Sequence, residues 1–243
     1  MPAYKLLSIG NSFTQDPHRY LHDMAKRRGV NLTLINLVIG GCSYERHYRN
    51  MISDAPVYAL EHNGEGTGFY VSLTEALTSD RFDFVTVQQA SHFSFRPETY
   101  EPYAAELTDY VRQCQPQTKV VLQRTWEYEK DSQRLHDMGF STTDEMFRAV
   151  AAAYDKNAAA IRADLQIPSC EAVHEALRLG LPRFHRDTFH AGLGVGRYLL
   201  SLTWLATLCG LDPLEDAFDA LDVPATPEEL AVARQAAHDV TVA

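Results

Sequence analysis

A serine, Ser12, follows Gly10 and Asn11 at the point where the first apolar run of the chain stops. Far along the chain, Asp187 and His190 lie three residues apart in RFHRDTFHAGLGVGRYL, just before a long apolar segment. These residue types together suit acyl transfer, which needs a nucleophile, a base, a group that orients the base, and donors for an oxyanion. A carboxylate three residues before an imidazole reaches it within one turn. Asp187 would then accept the Nδ1 proton of His190 and leave Nε2 facing a serine hydroxyl. The plainer alternative is an Asp187 that caps a turn beside a solvated His190. The N–H of Ser12 is one oxyanion donor. Gly40 or Gly41 is another, because no Cβ keeps the backbone from a ligand there. Gln88 and Gln89 end a further apolar run, where a carboxamide is costly unless it is hydrogen-bonded or faces a site.

Those groups need elements to carry them. Residues 4–9 are a nearly continuous apolar run, the pattern of a strand buried on both faces. Asp16 is expected as an N-cap with Pro17 at the first helical position, followed by an apolar stripe of Tyr20, Leu21, Met24 and Ala25. A second strand over 32–39 ends on Gly40 and Gly41. The pattern then predicts a helix over 49–61, a Gly-rich loop over 62–68 and a short helix over 72–78. Strands over 82–88 and 119–124 and a short step at 165–168 alternate with helices over 103–114, after a Thr142-x-x-Glu145 capping box, and over 170–179. The segment 194–209 is apolar on most sides and reads as a buried helix. This alternation predicts an α/β fold with a mainly parallel five-stranded sheet flanked by helices. Ligands bind such sheets outside the carboxyl ends of the strands, where the loops carrying Ser12, Gly41 and Gln89 begin. Residues 1–212 read as one domain. Residues 213–243 form an acidic segment whose final helix, capped at Thr226, is expected to pack on the same domain or on a partner.

Composition excludes several classes. The chain has 243 residues, a formal net charge of -10 and no extended Lys/Arg run, so it lacks the clustered basic surface that nucleic acid requires. The best apolar stretch, 198–205, is too short to span a bilayer, and no basic, apolar leader pattern opens the chain. Cys42, Cys114, Cys170 and Cys209 have no short spacing and make no zinc knuckle. A cytoplasmic protein with reduced thiols, no membrane partner and no cofactor is expected.

The assembled motifs resemble the SGNH hydrolases, or GDSL-type esterases and lipases. Ile9-Gly10-Asn11-Ser12-Phe13 is similar to their first sequence block, with Asn11 where the usual motif has Asp. Ile39-Gly40-Gly41-Cys42-Ser43 is similar to the second, with Gly41 the better match to the oxyanion glycine. Asp187-Thr188-Phe189-His190 matches the fourth without departure. The third block departs: a Gly-x-Asn-Asp is usual, and the chain reads Val87-Gln88-Gln89-Ala90-Ser91-His92. The phrases IGNSF, GGCSYERH, VTVQQASH and QRTWEY, in that order across 6–210, are similar to one bacterial subgroup of the superfamily. The resemblance implies a flavodoxin-like three-layer α/β/α fold and ester hydrolysis through an acyl-enzyme. It implies Ser12 as nucleophile, His190 as base and Asp187 as its orienting group. The Ser12 and Gly41 amides and a Gln89 side chain would be the oxyanion donors, with Gln89 preferred over Gln88.

Tyr44, His47, His92 and Trp126 fall in or beside the rim loops and are expected to contact substrate, since aromatic faces beside polar groups suit sugar rings. A small-molecule ester is expected, first an O-acetylated carbohydrate or small metabolite. Competing readings are a lipase or thioesterase, a non-catalytic carbohydrate-binding module on a hydrolase scaffold, and a metal-dependent hydrolase using His185, Asp187 and His190.

Overall fold

The computed structural model describes residues 1–242; Ala243, which ends the acidic segment, lies outside them. Strand β1 (Ala3–Gly10) hands the chain directly to helix α1 (Ser12–Arg27). β1 pairs in parallel with β2 (Asn31–Val38) on one side and with β5 (Phe84–Val87) on the other. β6 (Lys119–Gln123) and β7 (Leu165–Ile167) continue the parallel ladder beyond β5. Alternate side chains serve opposite faces, as pleating requires. Leu6 of β1 packs with α1, α7 (Ser169–Arg178) and α8 (Val195–Cys209). Leu7 and Ile9 pack on the other face with α2 (Tyr44–Ser53), α3 (Leu73–Ser79), α4 (Tyr103–Cys114) and α6 (Thr143–Ala160). The result is a three-layer α/β/α sandwich.

Within the described residues the sheet has seven strands rather than the expected five, in the order β4-β3-β2-β1-β5-β6-β7. The two extra strands are the hairpin β3 (Tyr58–His62) and β4 (Glu65–Val71), antiparallel to its neighbours. The helix expected over 49–61 is therefore corrected. Ser43 caps α2 early, accepting from the Arg46 N–H at 3.3 Å, and α2 ends where Asp54 turns left-handed at φ 46°. The free edge of β2 then recruits residues 58–62 as a strand. A local pattern cannot register that long-range pairing.

The start of α1 also differs from expectation. Asn11, not Asp16, is the N-cap, its Oδ1 accepting from the Phe13 N–H at 2.9 Å. Pro17 lies inside the helix within its first two turns. Gly10 makes this abrupt strand-to-helix turn possible, because a Cβ there would sit 2.2 Å from Thr14 Oγ1. At the other end of the chain, helix α9 (Pro227–Thr241) lays Ala233, Ala236 and Ala237 onto α7 and α8.

Candidate active site

Because α1 begins at Ser12, that residue occupies the first helical position. Its N–H is one of those a helix cannot satisfy internally, and it lies at the positive end of the helix dipole. The Ser12 Oγ lies 2.7 Å from His190 Nε2. His190 Nδ1 lies 2.8 Å from Asp187 Oδ2, and the His190 backbone N–H donates to Asp187 Oδ1 at 2.9 Å. The carboxylate thus grips the histidine by ring and backbone together, which fixes Nδ1–H as donor and Nε2 as acceptor. Partial burial works to raise the Asp187 pKa, but the hydrogen bonds from the His190 ring and backbone outweigh it and hold the group below the usual carboxylate value.

The turn that presents His190 is held from behind. Thr188 has a left-handed backbone, φ 76°, and its carbonyl accepts from the Glu129 N–H at 2.7 Å. The Trp126 indole donates to the Phe189 carbonyl at 2.8 Å and stacks on Phe13 with ring centroids 4.3 Å apart. Asp16, fully buried, ties this turn to the helix that begins at Ser12. Its Oδ1 accepts from Arg186 at 2.7 Å and Arg197 at 3.0 Å, and its Oδ2 from the Ala191 N–H at 3.1 Å.

Asn11 organises the three strand ends. Its Oδ1 accepts from the Phe13 N–H and from Gln88 Nε2 at 2.6 Å, while its Nδ2 donates to the Cys42 carbonyl at 3.0 Å. An aspartate supplies no donor for that last bond. The tie holds the Gly40–Gly41 turn beside Ser12. Gly41 sits at φ 60° with open space where a Cβ would be.

A cavity of about 440 Å³ opens in front of Ser12. Asn11, Phe13, Gly40 and Gly41 form one side, and Ser91, His92, Phe189 and His190 another. Arg134, on the short helix α5 (Gln133–Asp137), completes it from the exposed side. A larger cavity, about 630 Å³, between α7 and the 182–185 segment touches none of Ser12, Asp187 and His190.

Of the residues expected to contact substrate, His92 alone lines this cavity. Tyr44, His47 and Trp126 are each fully buried. Tyr44 accepts from Asn157 Nδ2 at 3.2 Å, and His47 pairs with the Tyr58 hydroxyl at 3.0 Å. They are core groups that brace the rim. Gln89 is likewise corrected: its Nε2 donates to the Thr99 carbonyl and hydroxyl, each at 3.1 Å, and its Oε1 accepts from the Tyr44 and Ala90 N–H groups. Gln88 is spent on Asn11. Neither carboxamide reaches the cavity, because each satisfies backbone or side-chain groups exposed where the strand ends. The third strand end presents His92 instead. Its pKa is lowered by partial burial and by the charges of Arg134 and Arg96, which favours the neutral ring. His185, the third member of the metal reading, turns away, its Nε2 lying 2.9 Å from the Glu127 carbonyl. Asn11, Asp16 and Arg134 went unrecognised as site residues in the sequence. For Asp16 a buried carboxylate on an apolar helix face was the available signal.

A family model described as a domain of unknown function, DUF4886, matches residues 5–240. The crystal structure of a DUF4886 family protein from Bacteroides uniformis is 30% identical, covers 98% of this chain and 94% of its own, and superposes with a TM-score of 0.89. A protein from Slackia heliotrinireducens assigned to the SGNH hydrolases is 22% identical over 85% of this chain and 99% of its own, with a TM-score of 0.61. The psychrotrophic esterase EstA from Pseudoalteromonas sp. is 12% identical over 84% of this chain and 96% of its own, with a TM-score of 0.53. The last two share the fold. No curated protein matches the chain.

Proposed function

The chain belongs to the DUF4886 family and carries the SGNH hydrolase fold, and from that premise we propose that it is a serine esterase acting through an acyl-enzyme. The observation that carries this reading is the continuous relay from Ser12 Oγ to His190 Nε2, at 2.7 Å, and from His190 Nδ1 to Asp187, at 2.8 Å. Ser12 attacks the ester carbonyl as His190 takes its proton. The C–O bond to the alcohol then breaks, and His190 returns that proton to the leaving oxygen. Water, deprotonated by the same imidazole, cleaves the acyl-enzyme and restores Ser12. The N–H groups of Ser12 and Gly41 bind the oxyanion. His92, neutral and carrying one N–H, stands as the third donor in place of Gln89.

The substrate we propose is a short-acyl ester, first an O-acetyl ester, of a carbohydrate or small metabolite. The cavity of about 440 Å³ accommodates one ring and a small acyl group, with Phe189 and His92 beside polar groups in its lining. The test is hydrolysis of 4-nitrophenyl acetate together with fluorophosphonate labelling. Ser12→Ala is expected to abolish both, and His92→Ala to lower kcat by about 10²-fold or more, as loss of one oxyanion donor does. Full activity in Ser12→Ala would overturn the reading.

A further inference from the structure

The lining of the cavity in front of Ser12 contains no carboxylate, although the chain as a whole carries a net charge of -10. It does contain Arg134. The guanidinium carbon lies 3.7 Å from the centroid of Phe189, and Phe189 lies 3.9 Å from the ring of His190, centroid to centroid. Guanidinium, phenyl ring and catalytic imidazole thus form one column. The Tyr128 hydroxyl stands beside one N–H group of the guanidinium, and because Arg134 lines the cavity its other N–H groups can meet a partner there. Among the described residues no Asp or Glu pairs with it, whereas Arg19, Arg28, Arg124, Arg186 and Arg197 all stand against carboxylates. Arg96, which lies over Phe95 at 5.1 Å, is also without a carboxylate among the described residues, and its charge reaches His92 as that of Arg134 does.

We propose that the substrate carries an anionic group, a carboxylate or phosphate, on its alcohol portion, and that Arg134 is the specificity-determining residue that binds it. This rests on the esterase reading, which also fixes the side. The leaving oxygen must come to His190 Nε2 to receive its proton, so the alcohol lies along the column of His190, Phe189 and Arg134. The carbonyl oxygen points the other way, to the Ser12 and Gly41 amides. An O-acylated hydroxy acid or acidic sugar meets both requirements. The planar, forked guanidinium suits bidentate binding of either anion, and the uncompensated charge of Arg96 adds to the local field that draws it in.

The experiment compares kcat/KM for 4-acetoxybenzoate and its methyl ester. The neutral ester has the better leaving group, so a preference for the charged one has to come from the protein. Wild type is expected to prefer 4-acetoxybenzoate by about tenfold, with the preference shrinking as salt is added. Arg134→Gln should bring the ratio to about one, and Arg134→Lys should retain part of it. 4-Acetoxyphenyl phosphate in the same comparison distinguishes phosphate from carboxylate. A ratio of one in wild type, or a ratio that Arg134→Gln leaves intact, overturns the proposal. So does a preference that appears only for 4-nitrophenyl hemisuccinate over 4-nitrophenyl butyrate, where the charge is on the acyl side. Calorimetric titration of 4-hydroxybenzoate into Ser12→Ala, with and without Arg134→Gln, needs no turnover. Arg134-dependent binding without any ester hydrolysis would sink the esterase reading and keep the anion site; hydrolysis without discrimination would do the reverse.

Discussion

At the scale of single residues, the site depends on which atoms are donors. Asn11 accepts twice through Oδ1 and donates once through Nδ2, so one side chain serves the ends of β1, β2 and β5. Asn11→Asp keeps the acceptor and sets a negative oxygen against the Cys42 carbonyl. It is expected to cost about 1–3 kcal/mol, as a buried bond lost at one partner does, and to lower kcat by displacing Gly41. Chemical denaturation and ester kinetics on the same variant check both. The pairing of Asp187 with His190 was legible in the sequence because three residues of separation let the carboxylate reach the ring within one turn. Gln89, Tyr44, His47 and Trp126 were misplaced for the opposite reason. The direction of a side chain just past a strand end, as at Gln89 and Trp126, depends on the loop that follows, and Tyr44 and His47 lie on the inward face of α2; these four turn inward to satisfy Thr99, Asn157, Tyr58 and Phe189.

At the scale of elements, α1 and the 185–191 turn are one mechanical unit, joined at Asp16. A buried carboxylate that faces Arg186, Arg197 and a backbone N–H cannot be removed without leaving buried charge uncompensated. Asp16→Ala is expected to lower stability by about 3–5 kcal/mol. Where the variant still folds, kcat should fall with little change in KM, since Ser12 and His190 lose their alignment while the cavity persists. A variant with normal kcat would show that the clamp is irrelevant to alignment. The parallel strands were legible as apolar runs, because burial on two faces leaves a strong local trace. The hairpin β3–β4 was not. Most of β4 is exposed and carries no apolar alternation, and β3 is a strand only because β2 offers it an edge. The start of α1 was misjudged because Asp16-Pro17 has the look of a cap, whereas Asn11 had already begun the helix.

At the scale of the whole molecule, burial sets the acid limit of stability. His18, His47 and His185 are buried, and burial lowers their pKa values to about 3, about 3 and about 4. In the unfolded chain each titrates near 6.5. The unfolded state therefore binds more protons between those values. The stability these neutral rings contribute is complete above about pH 6.5 and is lost as pH falls toward 4. Three such groups give a slope of up to about 4 kcal/mol per pH unit near pH 5. Urea denaturation at pH 7.5 and pH 5 measures it, and His18→Gln, which cannot protonate, should flatten the profile even if it lowers the plateau. An unchanged profile would mean that these rings are charged in the folded state. The route of the chain has a consequence for synthesis. Ser12 and His190 are 178 residues apart, and the clamp at Asp16 that joins their two elements takes in Arg186, Ala191 and Arg197, the last on α8. A ribosome makes Ser12 178 residues before the histidine that faces it. Until His190 has been made the Ser12 hydroxyl has no imidazole beside it, and the pair comes together only after all seven described strands, which end at Ile167, have been made.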